Sequence, residues 1–129
     1  FEVNRLTVPG ETVESVIKDM ENLIASLNLK AKVEVKTKAP LYASYVMEKD
    51  EPFVKLFGET YKDVMGKEAH YQYSSSITDA NTLCGEGGIP CMHLGPYAGG
   101  PHQKNEYTVL DSLPPVTKTY TELAARFLS

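Results

Sequence analysis

Apolar residues recur at spacings of three and four along one early stretch. Val13, Val16, Ile17, Met20, Leu23, Ile24 and Leu27 line one face of a helix predicted from about Thr12 to Asn28. Thr12 is placed to cap it, and Glu11 and Glu14 sit where the helix dipole favours anions. On either side the period changes to two. Phe1 to Leu6 alternates with Phe1, Val3 and Arg5 on one face. Ala31 to Thr37 alternates strictly, and Lys32, Lys36 and Lys38 look outward as on an edge strand. Both are predicted strands. Val8-Pro9-Gly10-Glu11 is turn chemistry, because Pro presets φ and Gly tolerates a positive one.

The pattern is weaker from Lys38 to Pro52, where Leu41 to Val46 reads as extended. The charge cluster Glu48-Lys49-Asp50-Glu51 before Pro52 places a junction near Val46 to Glu51. Pro52 suits the first position of a second helix reaching Met65. Phe53, Leu56, Phe57, Tyr61, Val64 and Met65 form its stripe, and Gly66 its stop. His70 to Tyr73 is a short strand candidate. Ser74-Ser75-Ser76 leads to Thr78-Asp79-Ala80-Asn81, the start of a short helix ending near Gly85. Ile89 to Leu94 is a further strand, with Met92, like Met20, in the core. Gly95 to Gln103 is a Gly- and Pro-rich loop, and a last helix runs from Pro114-Pro115 to about Leu128. The order is β-α-β, a junction, then α-β-(α)-β-loop-α: an α+β piece over residues 1–48 and an α/β piece over 49–129.

Thirteen Lys and Arg against 17 Asp and Glu leave a formal charge of −4, which argues against a general nucleic-acid binder. No apolar run approaches the ~18 residues of a membrane span. No signal peptide is visible, so the expected location is the cytoplasm. Two cysteines are too few for a disulfide framework. The chain opens with Phe1 rather than Met, already alternating like a strand in mid-sheet, and a fragment or processed chain is expected.

Phosphate-loop, dinucleotide, His-Glu-x-x-His and Gly-x-Ser-x-Gly motifs are absent. The candidate chemistry lies between His70 and Glu106. Cys84, Cys91, His93 and His102 are four candidate ligands for structural zinc, with Cys91 and His93 two apart on a predicted strand and so on one face. Against this, no Cys-x-x-Cys pair is present, and a buried Cys is usually a small hydrophobe. His102, in Pro101-His102-Gln103-Lys104-Asn105-Glu106, follows two glycines and precedes an acid, a place from which a loop side chain reaches a cleft. The alternative is a solvated loop histidine. Thr78 and Asp79 read either as a helix cap or as a strand-end loop lining a site.

The ordered set Thr78-Asp79-Ala80-Asn81, Gly88-Ile89-Pro90, Leu94-Gly95-Pro96 and His102-x-x-Asn105-Glu106 resembles the C-terminal end of the di-zinc aminoacylase and carboxypeptidase family. That family includes succinyl-diaminopimelate desuccinylase, acetylornithine deacetylase, glutamate carboxypeptidase and di- and tripeptidases. Val3-Asn4-Arg5 followed by Pro9-Gly10-Glu11-Thr12 resembles its small lid domain. The resemblance spans nearly the whole chain. It implies the second half of a β-α-β lid (dimerisation) domain, then the last α/β segment of a zinc-peptidase-like catalytic domain.

The resemblance further implies a metal-dependent amidohydrolase cleaving a peptide or N-acyl-amino acid. Its water would be bridged by two zinc ions per intact subunit, with cobalt or manganese as alternatives. His102 matches a metal ligand. Arg5 matches a clamp on a substrate carboxylate, and a surface lid arginine is the other reading. Thr78, Asp79 and Asn81 match a substrate-contacting loop, and Glu106 stands behind His102. Asn81 replaces the Arg of desuccinylase-type sequences, which leans toward a peptidase or general deacylase. The general base and remaining ligands are expected upstream, so the chain alone is expected to be inactive. The intact protein is expected to be a homodimer through the lid, with no nucleic-acid or membrane partner. Two other readings stay open: a small non-catalytic binding or assembly module, and a structural-zinc domain on Cys84, Cys91, His93 and His102.

Overall fold

The structure, a computed structural model, describes residues 1–74 and 76–129. Ser75, in the expected loop after the Tyr-rich segment, lies outside them. The chain divides into two compact units. One comprises Phe1–Val46 and Ser74–Ile89, the other Met47–Tyr73 and Pro90–Ser129.

In the first unit, α1 (Val13–Ser26) forms where the three-four spacing placed it. Its start is fixed by a reciprocal cap. The Thr12 hydroxyl accepts the Ser15 N–H at 3.2 Å, and the Ser15 hydroxyl accepts the Thr12 N–H at 3.0 Å. Glu14 is held below the usual carboxylate range by its own main-chain N–H and by the Thr12 side chain. The apolar stripe is incompletely covered. Val16, Ile17, Met20 and Ile24 are half-buried, whereas Leu23 and Leu27 stay 56% and 57% exposed. The predicted short helix is a wide, π-type turn over Asn81–Glu86, closed by the Gly87 N–H on Thr82 O at 2.9 Å. Gly85 is needed there: a Cβ would lie 2.7 Å from Ala43 O.

In the second unit, α2 (Pro52–Met65) begins on its proline and ends on Gly66 at φ 69°, whose N–H bonds Lys62 O at 2.9 Å. A strand pair follows, β1 (Ala98–Gly99) antiparallel to β2 (Tyr107–Thr108). A 3₁₀ turn (Leu110–Ser112) then leads into α3 (Leu113–Phe127), whose prolines occupy the first turn, where no intrahelical N–H is required. The core is the α2–α3 seam: Val54, Phe57 and Thr60 from one helix, Val116, Thr119 and Leu123 from the other. Phe53 meets Phe127 edge to face at 5.7 Å, and Arg126 pairs with Asp63 at 2.7 Å. The seam holds one flaw. Thr119 donates to Pro115 O, but the fully buried Thr60 hydroxyl has no partner among the described residues.

The structure is a mixed helix and small-sheet fold, but the predicted strands are not its strands. Phe1–Leu6, residues 31–37, residues 70–73 and residues 89–94 carry no strand, so the β-α-β order around α1 does not form. Alternation selects which face a segment would bury; a strand exists only when another lies beside it. Glu2 and Lys38 do pair at 2.7 Å, but no backbone ladder joins their segments. Of the pairing that forms, β1 lies in the stretch read as loop and β2 just beyond it. His93, expected on a core strand, is exposed, and Met20 and Met92 are half-buried rather than core. No helix among the described residues is long and apolar enough to cross a membrane.

Candidate functional site

The β1–β2 hairpin carries His102. Its strands pair Ala98 with Thr108 and Gly99 with Tyr107, leaving residues 100–106 as the connection. The turn back is sharp. Gly100, His102 and Asn105 all adopt positive φ, 65°, 59° and 66°. For His102 that geometry costs up to roughly 1–2 kcal/mol, and less for Asn105, whose short polar side chain tolerates it. The loop is held by its own hydrogen bonds: Gln103 N–H to Gly100 O at 3.1 Å, Glu106 N–H to Gln103 O at 3.2 Å, and His102 N–H to Glu106 Oε2 at 3.2 Å. Tyr107 packs across Gly99, where a Cβ would lie 2.7 Å from the ring. The result presents the His102 side chain to solvent from a fixed backbone. Glu106, expected behind His102, braces it through the main chain.

Thr78, Asp79 and Asn81 belong to the other unit. Asn81 uses both ends of its amide: Oδ1 accepts the Thr78 N–H at 2.9 Å, and Nδ2 donates to Ala43 O at 2.9 Å. The Thr78 hydroxyl accepts the Ala80 N–H at 3.3 Å, which is capping geometry. Asp79 is exposed beside them. Thr78 and Asn81 are therefore brought together, as an anchor for the wide turn.

Arg5 lies in the same unit, lining a shallow groove with Val16, Asp19, Met20 and Leu23 of α1. Its guanidinium reaches Glu11 Oε1 at 2.6 Å and the Leu6 carbonyl, while Glu11 Oε2 takes the Val8 N–H at 2.9 Å. Arg5 is thus held by the Pro-Gly-Glu turn that follows it. Two of its five N–H groups, one on each terminal nitrogen, are engaged by these contacts.

Among the described residues, no three His, Cys, Asp or Glu side chains gather closely enough to hold an ion. His102 offers one imidazole, which does not make a site. The four-residue zinc reading has no such gathering behind it either among the described residues.

Sequence reasoning missed the partners that immobilise these groups. Ala43 acts through a main-chain carbonyl, which no residue type advertises. Glu11 stands in the sequence as a turn residue and a helix-dipole charge, with no sign of the guanidinium it holds. Lys67 and Asp111, far apart in sequence and without periodicity, line a cavity of about 270 Å³.

The chain belongs to peptidase family M20/M25/M40, whose sequence model matches residues 3–126. That is the family level at which the ordered motifs pointed. Neither the curated proteins nor the solved structures gave a significant match.

Proposed function

We propose that this chain is part of a metal-dependent hydrolase that cleaves the amide bond of a peptide or N-acyl-amino acid. Family membership supports the reaction class. The observation that carries the assignment to residues is His102 itself, an exposed imidazole on a backbone held at positive φ by Glu106 and the hairpin. A strained, well-braced histidine in a loop fits a ligand better than a solvated surface residue.

In this reading His102 would give one ring nitrogen to one of two zinc ions, with cobalt or manganese able to substitute. Bound metal would supply polarisation of the scissile carbonyl and a lowered water pKa. The chain's own residues act around that. Arg5 directs its remaining N–H groups at a substrate carboxylate, Glu11 fixing its plane. Thr78 and Asp79 border the substrate, and Asn81 holds their turn in place. Residues 1–48 serve as part of a lid through which the intact protein dimerises, residues 49–129 as the end of the catalytic domain, and the cytoplasm is its place of action.

Each catalytic zinc takes about three protein ligands, and this chain brings one. The purified 129-residue chain with added zinc is therefore expected to hydrolyse no amide, whereas the full product of its reading frame turns over at roughly 1–1,000 per second. Turnover by the short chain contradicts the proposal. Inactivity of the full product favours the non-catalytic module.

A further inference from the structure

The cavity in the second unit has a composition that the hydrolase reading does not use. Its walls are Met65, Leu94, Val109, Pro115 and Val116, and two side chains of opposite charge, Lys67 and Asp111, join them. Neither charge is neutralised. Lys67 Nζ donates to the Tyr97 hydroxyl at 3.4 Å, and among the described residues no ion pair involves Lys67 or Asp111. The Tyr97 and Ser112 polar groups at the same place are already satisfied. The Tyr97 N–H bonds Ser112 Oγ at 2.9 Å, and Ser112 Oγ donates to Val109 O at 2.6 Å. What remains open to a ligand is an apolar surface plus one cation and one anion. At about 270 Å³ the space lies just below the roughly 300–1,000 Å³ of drug-sized pockets.

We infer that this cavity binds a small zwitterion with an apolar body, a free aliphatic α-amino acid. Lys67 takes its carboxylate, Asp111 its ammonium, and the Met65, Leu94 and Val116 surface its side chain. A purely apolar ligand would leave both charges unused. A singly charged one would leave one of them unused. The inference does not depend on a role for His102, and it holds or fails whether or not the chain is part of a hydrolase.

The test is a titration of the complete 129-residue chain with L-leucine, followed by amide chemical shifts at Tyr97, Val109 and Ser112. Saturable shifts at these positions are expected, with an affinity on the order of millimolar. Lys67→Met and Asp111→Asn should each weaken binding roughly tenfold, by loss of a charge-assisted hydrogen bond. Both positions are exposed, so the variants should fold, and the unchanged dispersion of their spectra checks this. The analogues 4-methylpentanoate and 3-methylbutylamine, each lacking one charge, should bind at least tenfold more weakly than leucine. Equal binding of leucine and both analogues overturns the inference. So does leucine binding that neither substitution weakens, or the absence of any saturable shift at about 50 mM leucine.

Discussion

Asn81 is tied to Ala43 by a hydrogen bond from its amide Nδ2 to the Ala43 carbonyl at 2.9 Å, while its Oδ1 takes the Thr78 N–H. The residue that departs from the desuccinylase pattern thus joins two stretches of chain nearly forty residues apart. Asn81→Ala removes both part-buried hydrogen bonds, so a loss of about 1–3 kcal/mol is expected. Asn81→Asp keeps the acceptor for Thr78 but turns a carboxylate toward Ala43 O, and should cost at least as much at neutral pH. Urea unfolding measures both. Midpoints equal to that of the parent chain would show that Asn81 is not an anchor.

Gly85 reports on the same contact from the other side. A methyl group there meets a main-chain oxygen at 2.7 Å and the Ala43 Cβ at 3.0 Å, neither of which is the end of a flexible side chain. Gly85→Ala should destabilise the first unit by roughly 1–3 kcal/mol, as overpacking does. Gly95→Ala, at a position where nothing lies within 4 Å, is the control and should change stability little. Equal unfolding midpoints for the two variants would remove the close approach from the account.

The helices were legible because their information is local. Thr12, Pro52, Gly66 and Pro114-Pro115 each solve a backbone problem within one turn, and the three-four stripes choose the buried face. The strands were not legible. Ala31 to Thr37 alternates as strictly as any half-buried strand, yet no described residue lies beside it in a ladder. β1 and β2, two residues each, are too short to show a period at all. At the candidate site the residue types of His102 and Arg5 were readable. What fixes them was readable only in part: Glu106 was expected behind His102, but nothing pointed to Glu11 acting on a guanidinium six residues back.

Thr60 is the weak point of the α2–α3 seam. It is fully buried and its hydroxyl makes no bond, so that group was dehydrated without return. Thr60→Val keeps the shape and removes the hydroxyl. Stability should be unchanged or raised by about 1 kcal/mol in thermal unfolding. A loss beyond about 1 kcal/mol would mean that the hydroxyl has a partner.

Tyr71 should make the fold sensitive to alkali. Burial, and after it the charge of Glu68, raise its pKa above the ordinary 10.0. Its contribution is therefore complete below about pH 10 and lost as pH rises through the folded value, because the unfolded chain ionises first. Compared with Tyr71→Phe, the parent chain should lose stability more steeply above pH 10. Parallel stability curves between pH 9 and about 12 would show that Tyr71 ionises as freely in the fold as outside it.

The central claim is that His102 is a metal ligand, and metal content tests it most directly. In the full product of the reading frame, counted by mass spectrometry, His102→Ala should reduce bound metal from about two ions per chain toward one and abolish amide hydrolysis. His93→Ala, altering an exposed histidine outside the hairpin loop, should leave the count unchanged. Retention of both ions by His102→Ala, or loss of one by His93→Ala, would contradict the assignment.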